Sequence, residues 1–207
     1  MKIILILLCA SLVSCSTTRY GVDVSGGTAE LVRSAEFVTL GGPNTKFKDV
    51  KLKGYGYKIG LSEETKYIIA KIQYSKESFK NFRDSYTIDA GDVEVEYKDT
   101  TQSGIEFSFG VKIKMLQVRL ILGGKDLKFT TFGTKQTREL SYSGFGVGLE
   151  TALSENGLLY IDYQSISGEP IEYAILGIRD EYKQTNILLG YRYNFATINW
   201  GAGWGEE

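Results

Sequence analysis

Histidine is absent from this 207-residue chain. That absence excludes Ser-His hydrolases, imidazole acid–base chemistry and most zinc sites, all of which depend on a ring nitrogen that titrates near neutrality. The only cysteines are Cys9 and Cys15, so no disulfide framework can staple the body of the chain. Prolines are confined to Pro43 and Pro170. Lysine and arginine nearly balance aspartate and glutamate, leaving a formal charge of -1 and no basic field for nucleic acid. The apolar run from Ile3 to Val13 is too short to cross a bilayer as a helix.

What the chain has instead is aromatics and glycine: 14 Tyr, 10 Phe and 24 Gly. That mixture disfavours helices and disorder and suits many strands joined by turns. The pattern agrees. In "GIEFSFGVKIK", Ile105, Phe107, Phe109, Val111 and Ile113 alternate with Glu106, Ser108, Gly110, Lys112 and Lys114. Period two over that length is a strand signal. "GYGYKIGL", "YIIAKIQYS", "VRLILGG", "SGFGVGLE", "LLYIDYQS" and "TNILLGYRYNF" alternate likewise, with Leu188 breaking the pattern in the last. An eighth strand is expected upstream, either in "RYGVDVS" (Tyr20, Val22, Val24) or in "AEFVTL".

Short polar links (Ser62–Thr65, Lys114–Gln117, Ser154–Gly157) pair these strands. Longer segments, about 76–102, 126–139 and 166–183, separate the pairs, and "DVEVEY" (Asp92–Tyr97) within the first of them alternates too. Tight turns at one end and long loops at the other are expected of an all-β, eight-stranded antiparallel up-and-down transmembrane β-barrel.

Alternation alone does not say which face is inside. Bulk and charge do. The apolar face is uniformly large, whereas the other carries Gly54, Gly56, Gly60, Gly110, Gly123, Gly144, Gly146, Gly148 and Gly190. An eight-stranded lumen is only wide enough to be filled by side chains, so the glycine face belongs inside, where it leaves room for long ones. A Lys or Arg facing lipid near the midplane costs about 2–4 kcal/mol. Lys58, Lys71, Lys112, Arg119 and Arg192 all fall on the glycine face, beside Glu106, Glu150 and Asp162. These eight residues are expected to form a lumenal charge network, a packed polar plug in preference to a pore lining. Tyr55, Tyr57, Tyr67, Tyr74, Tyr163, Tyr191, Tyr193 and Phe195 are expected to form outward aromatic girdles.

The N-terminus begins with one lysine and an apolar run, as export signals do. Its end, Leu12-Val13-Ser14-Cys15, resembles the lipobox of bacterial lipoproteins. That resemblance implies a signal at 1–14, acylation of Cys15 and, from Ser16, sorting to the outer membrane. Residues 50–195 resemble the small eight-stranded outer-membrane β-barrels, the family of the outer-membrane protein A transmembrane domain and the opacity-type surface proteins. "LLGYRYNF" is similar to the terminal signal read by the barrel-assembly machinery, through Gly190, Tyr191, Tyr193 and Phe195. The resemblance implies a barrel over 15–195, a tail over 196–207 carrying Trp200 and Trp204, and residence among the lipids of a Gram-negative outer membrane. It also implies loops that meet surface ligands, and no cofactor. The barrel enzymes of that membrane use a histidine, so none of their activities is expected here.

Two alternatives stay open: a lipid-anchored, lipocalin-like carrier with its greasy face inward, and a narrow channel. "GYGYKIG" has the wrong spacing for a phosphate loop. Asp89–Asp92 and Glu63-Glu64 read as solvated carboxylates in preference to a cation site, so no metal ligand is assigned.

Overall fold

The computed structural model of the protein describes residues 17–37, 45–46, 49–88, 91–131, 133–173 and 178–199. These residues form strands and turns. In chain order the strands are β1 (Thr17–Phe37), β2 (Thr45–Lys46), β3 (Val50–Glu64), β4 (Ile68–Phe79), β5 (Phe82–Ile88) and β6 (Gly91–Ile113). There follow β7 (Leu116–Thr131), β8 (Thr134–Ala152), β9 (Gly157–Gly168), β10 (Ile171–Tyr173) and β11 (Ile178–Asn199).

Eight of these build the wall, in the order β1, β3, β4, β6, β7, β8, β9, β11, each antiparallel to the next, and β11 closes the ring on β1. The short β2 and β10 add to β1 and β11, and β5 pairs only with the outer part of β6. Pairings followed once around the wall lead from Gly21 through Ser62, Lys71, Ser108, Ile121, Gly144, Ile166 and Gln184 back to β1 at Leu31. The return lies ten residues along β1 from the departure. A stagger of that size tilts the strands by roughly 40° and leaves an interior that side chains fill.

Both candidates for the first strand belong to β1, which carries Tyr20 to Ser25 at one end and Ala35 to Phe37 at the other. The short links are tighter than the sequence suggests. Strand β3 runs through Glu64, leaving Thr65 to Tyr67 as the turn, where the Thr65 hydroxyl accepts the backbone N–H groups of Tyr67 and Ile68. Lys114 and Met115 alone join β6 to β7, with Lys114 at a positive φ of 56°.

The segments expected to be long loops are largely strand. Strands β7 and β8 stay paired up to Thr131 opposite Thr134, where Gly133 at φ 73° makes the turn. Strand β5 pairs antiparallel with Gly91 to Tyr97 of β6, so "DVEVEY" lies in the first part of β6. The last strand also continues past Phe195, with Ala196 to Asn199 paired to β1. The signal region with Cys9 and Cys15, Asp89, and Trp200 and Trp204 lie outside the described residues.

The wall changes polarity along its height. At the turn end and middle, large apolar side chains point outward and polar ones inward. Nearer the loop end the order reverses. Ala29, Leu31, Val50, Leu52, Phe79, Leu127, Phe129, Leu140 and Tyr182 pack inside as a buried apolar cluster. Outside them stand exposed residues such as Lys51, Lys53, Lys80, Lys128 and Lys183.

Candidate functional site

The lumen below the apolar cluster holds six cations and six carboxylates, and each makes at least one ion pair. Strand alternation aims them there. Lys58 lies between outward Tyr57 and Ile59, and Arg119 between outward Val118 and Leu120.

At the turn end Arg192 is the hub. Its Nε donates to both oxygens of Asp23 at 3.2 Å, and its Nη1 reaches Glu64 and, at 3.4 Å, Glu150. Lys71 donates to Asp23 at 3.0 Å, and Lys112 to Glu64 at 3.2 Å. Lys112 and Gln117 both also meet Glu150. In the middle layer Arg119 pairs with Asp162 and donates to the Ser108 hydroxyl at 3.3 Å. The Gln164 amide donates to Asp162 at 2.8 Å and accepts from Lys58, which also pairs with Glu106. Above it Lys125 bridges Glu106 at 3.2 Å and Glu77 at 2.8 Å. The Lys71 ammonium also stands 4.3 Å from the Tyr160 ring centre.

All eight lumenal residues named from the sequence therefore point inward and meet in one interior. Asp23, Glu64, Glu77 and Lys125 complete it and were missed. Strand phase was the signal for them: Glu77 continues the Lys71, Gln73, Ser75 series, and Lys125 that of Arg119. Glu64 corrects the reading of Glu63-Glu64 as solvated turn carboxylates. It is 3% exposed and held by Arg192 and Lys112, because β3 extends far enough to turn it inward. Among the described residues no group of His, Cys, Asp and Glu is arranged to hold a metal.

A depression of about 780 Å³ opens at the turn end, with Glu64 and Lys112 in its lining. Higher up, a cavity lined by Leu31, Leu140, Tyr142 and Tyr182 holds about 10 Å³, no more than a single water needs. Charge plus counter-charge, then an apolar layer, fill the barrel.

The outside carries the complementary signature. Leu120 is 68% exposed, Tyr55 64%, Leu189 59% and Phe195 57%. Aromatics lie towards the two margins of this band: Tyr55, Tyr57, Tyr74 and Tyr163 nearer the loops, and Tyr67, Tyr191, Tyr193 and Phe195 nearer the turns. A soluble lipocalin-like carrier needs the reverse, an apolar interior at this level. A barrel greasy outside and charged inside, with every spanning strand paired on both edges, has the architecture of the transmembrane β-barrels of outer membranes.

Three solved structures align with most of this chain. Neisserial surface protein A aligns over 85% of this chain and 97% of its own, at 12% identity and a TM-score of 0.49. Ail, the attachment invasion locus protein of Yersinia pestis, aligns over 84% and 99%, at 14% identity and a TM-score of 0.46. The outer membrane protease OmpT of Escherichia coli aligns over 86% and 97%, at 10% identity and a TM-score of 0.44. No protein-family profile matches the chain, and no curated protein matches its sequence.

Proposed function

We propose that this protein is an integral barrel of a Gram-negative outer membrane, non-enzymatic, with a closed lumen. Its role is to reinforce the envelope and to carry extended hairpins to the cell surface for contact with surface ligands. The observation that carries this reading is the continuous apolar band on the outer wall around an interior of paired charges. Only hydrocarbon makes such a band favourable, and only a sealed, hydrogen-bonded ring can enter it. The interior supports a plug over a conduit, since its cations are matched by carboxylates and capped by the apolar layer.

Anchoring of Cys15 by acylation fits the same geometry. Strand β1 begins at Thr17 at the turn end, two residues after that cysteine. An acyl chain there and the barrel would share one leaflet. Gly190, Tyr191, Tyr193 and Phe195 are the residues proposed to engage the barrel-assembly machinery. Tyr191, Tyr193 and Phe195 present an apolar outward face next to the closing seam with β1, and Gly190 faces inward beneath Tyr160.

The test is a membrane fraction run unboiled beside boiled on a detergent gel, after alkaline carbonate extraction. Resistance to carbonate with a mobility shift on heating supports an embedded barrel. Release into buffer without a shift overturns it. Metabolic labelling with a palmitate analogue, lost in Cys15→Ala, tests the anchor separately. Planar-bilayer recording tests the plug, with no ion conductance expected.

A further inference from the structure

The outward charges just above the apolar band are not spread evenly. Lys53 and Lys80 face each other across β3 and β4, where the Lys80 backbone N–H donates to the Lys53 carbonyl at 2.9 Å. Lys76 lies across from Tyr57, and Lys51 stands two residues above Lys53 on the same face. All four are exposed, and none forms an ion pair among the described residues. The acidic neighbours on this face are Glu30, across from Lys53 on β1, and Asp49, two residues above Lys51 just before the start of β3. Elsewhere at this height cations are more scattered: on β7 and β8 Asp126 faces Glu139 and Lys128 faces Thr137, β9 presents Ser165 and Ser167, and Lys183 of β11 extends the row of Lys51 across Val32 of β1. Directly opposed like charges in a sheet repel, so Lys53 and Lys80 favour a bound anion.

The level of the patch identifies the anion. Lys53, two residues before Tyr55, and Lys80 beside it sit one side-chain step above the tyrosine margin, Lys76 is level with Tyr57 in that margin, and Lys51 stands one step higher. That is headgroup depth. The stems can lie along the tyrosines while the charges reach phosphate.

We propose that Lys51, Lys53, Lys76 and Lys80 form a binding surface for the phosphate of an anionic lipid headgroup in the leaflet at the loop end. This rests on the embedded-barrel reading. The experiment compares the full barrel with Lys53→Gln/Lys80→Gln and with a charge-matched control, Lys128→Gln/Lys135→Gln, on β7 and β8 above the band. Each is purified in zwitterionic detergent and titrated with phosphatidylglycerol or phosphatidylcholine, and retained lipid is counted by native mass spectrometry. The patch variant is expected to lose roughly tenfold or more of its phosphatidylglycerol affinity, with phosphatidylcholine unaffected and the control near wild type. Equal retention by the patch variant, or an equal loss in the control, overturns the proposal. A heat-dependent gel shift in all three proteins keeps this outcome separate from failure of the barrel itself.

Discussion

Gly190 of β11 sits directly across from Tyr160 of β9, and the phenol ring folds over the place where a Cβ would stand. The ring lies between the glycine and the charged layer, over Lys71 at 4.3 Å and beside Arg192 at 5.9 Å. Gly123 bears the same relation to Tyr142, which lies near Lys125. The glycines of the polar face thus make room for tyrosines as well as for charged side chains.

Gly190→Ala is accordingly expected to force Tyr160 into the Lys71 and Arg192 layer. Overpacking of this kind costs about 1–3 kcal/mol. Urea unfolding of the micelle-refolded protein measures it, and Gly190→Ala/Tyr160→Ala should recover part of the loss. No recovery would mean that the clash lies with the backbone.

The Arg119–Asp162 pair lends itself to a double-mutant cycle. Arg119→Met leaves Asp162 buried with only Gln164 as partner, at an expected cost of about 3–5 kcal/mol. Replacing both residues with Met should cost far less than the sum of the single changes. Additive costs would show that the two charges do not compensate each other.

Position along the wall decides what a new charge costs. Leu120→Arg, in the middle of the apolar band, should lower stability in lipid vesicles by about 2–4 kcal/mol. Thr134→Arg, exposed across from Thr131 at the hairpin end of β8 above the band, should change it by less than about 0.5 kcal/mol. Equal effects at the two sites would argue against a hydrocarbon surround.

The apolar layer behaves as a small core. Leu127→Ala, at 3% exposure, should cost about 2–5 kcal/mol by leaving a cavity. Conductance should stay absent, because the ion-paired layers beneath are untouched. A measurable current from this one variant would place the seal in the apolar layer alone.

The spanning part of this fold was legible because lipid outside and charge inside impose one strict alternation, as from Ile105 to Ile113. The rest was obscured by a change of phase. In β7 the outward apolar positions are Val118, Leu120 and Leu122, whereas higher up Leu127 and Phe129 are the inward ones. Strand β3 does the same between Tyr55 and Leu52. In a single phase the pattern dissolves at that point, which is why 126–139 resembles a loop in sequence although it is mostly strand. The flip marks the height at which the wall leaves hydrocarbon for water. Leu188 looks like a fault in the last strand but is an inward residue, 2% exposed and directly across from Asp162 of β9. Glu64 was misplaced for a simpler reason, since three polar neighbours made the end of β3 look like its turn.

The closing seam has a consequence for how the protein comes into being. Thr17 and Asn199, 182 residues apart in the chain, meet by a 2.7 Å side-chain hydrogen bond at one end of the β1–β11 pairing. Until that pairing forms, the growing wall is an open sheet with two raw edges, and Asp23 awaits its hub at Arg192. Closing the ring requires contact between segments 182 residues apart, the kind of long-range pairing that forms slowly. Seen as a ring, the wall has no privileged starting point. A version tied from Asn199 to Thr17 and opened at Gly133 would contain every pairing of the original, with its slowest step moved to a different seam.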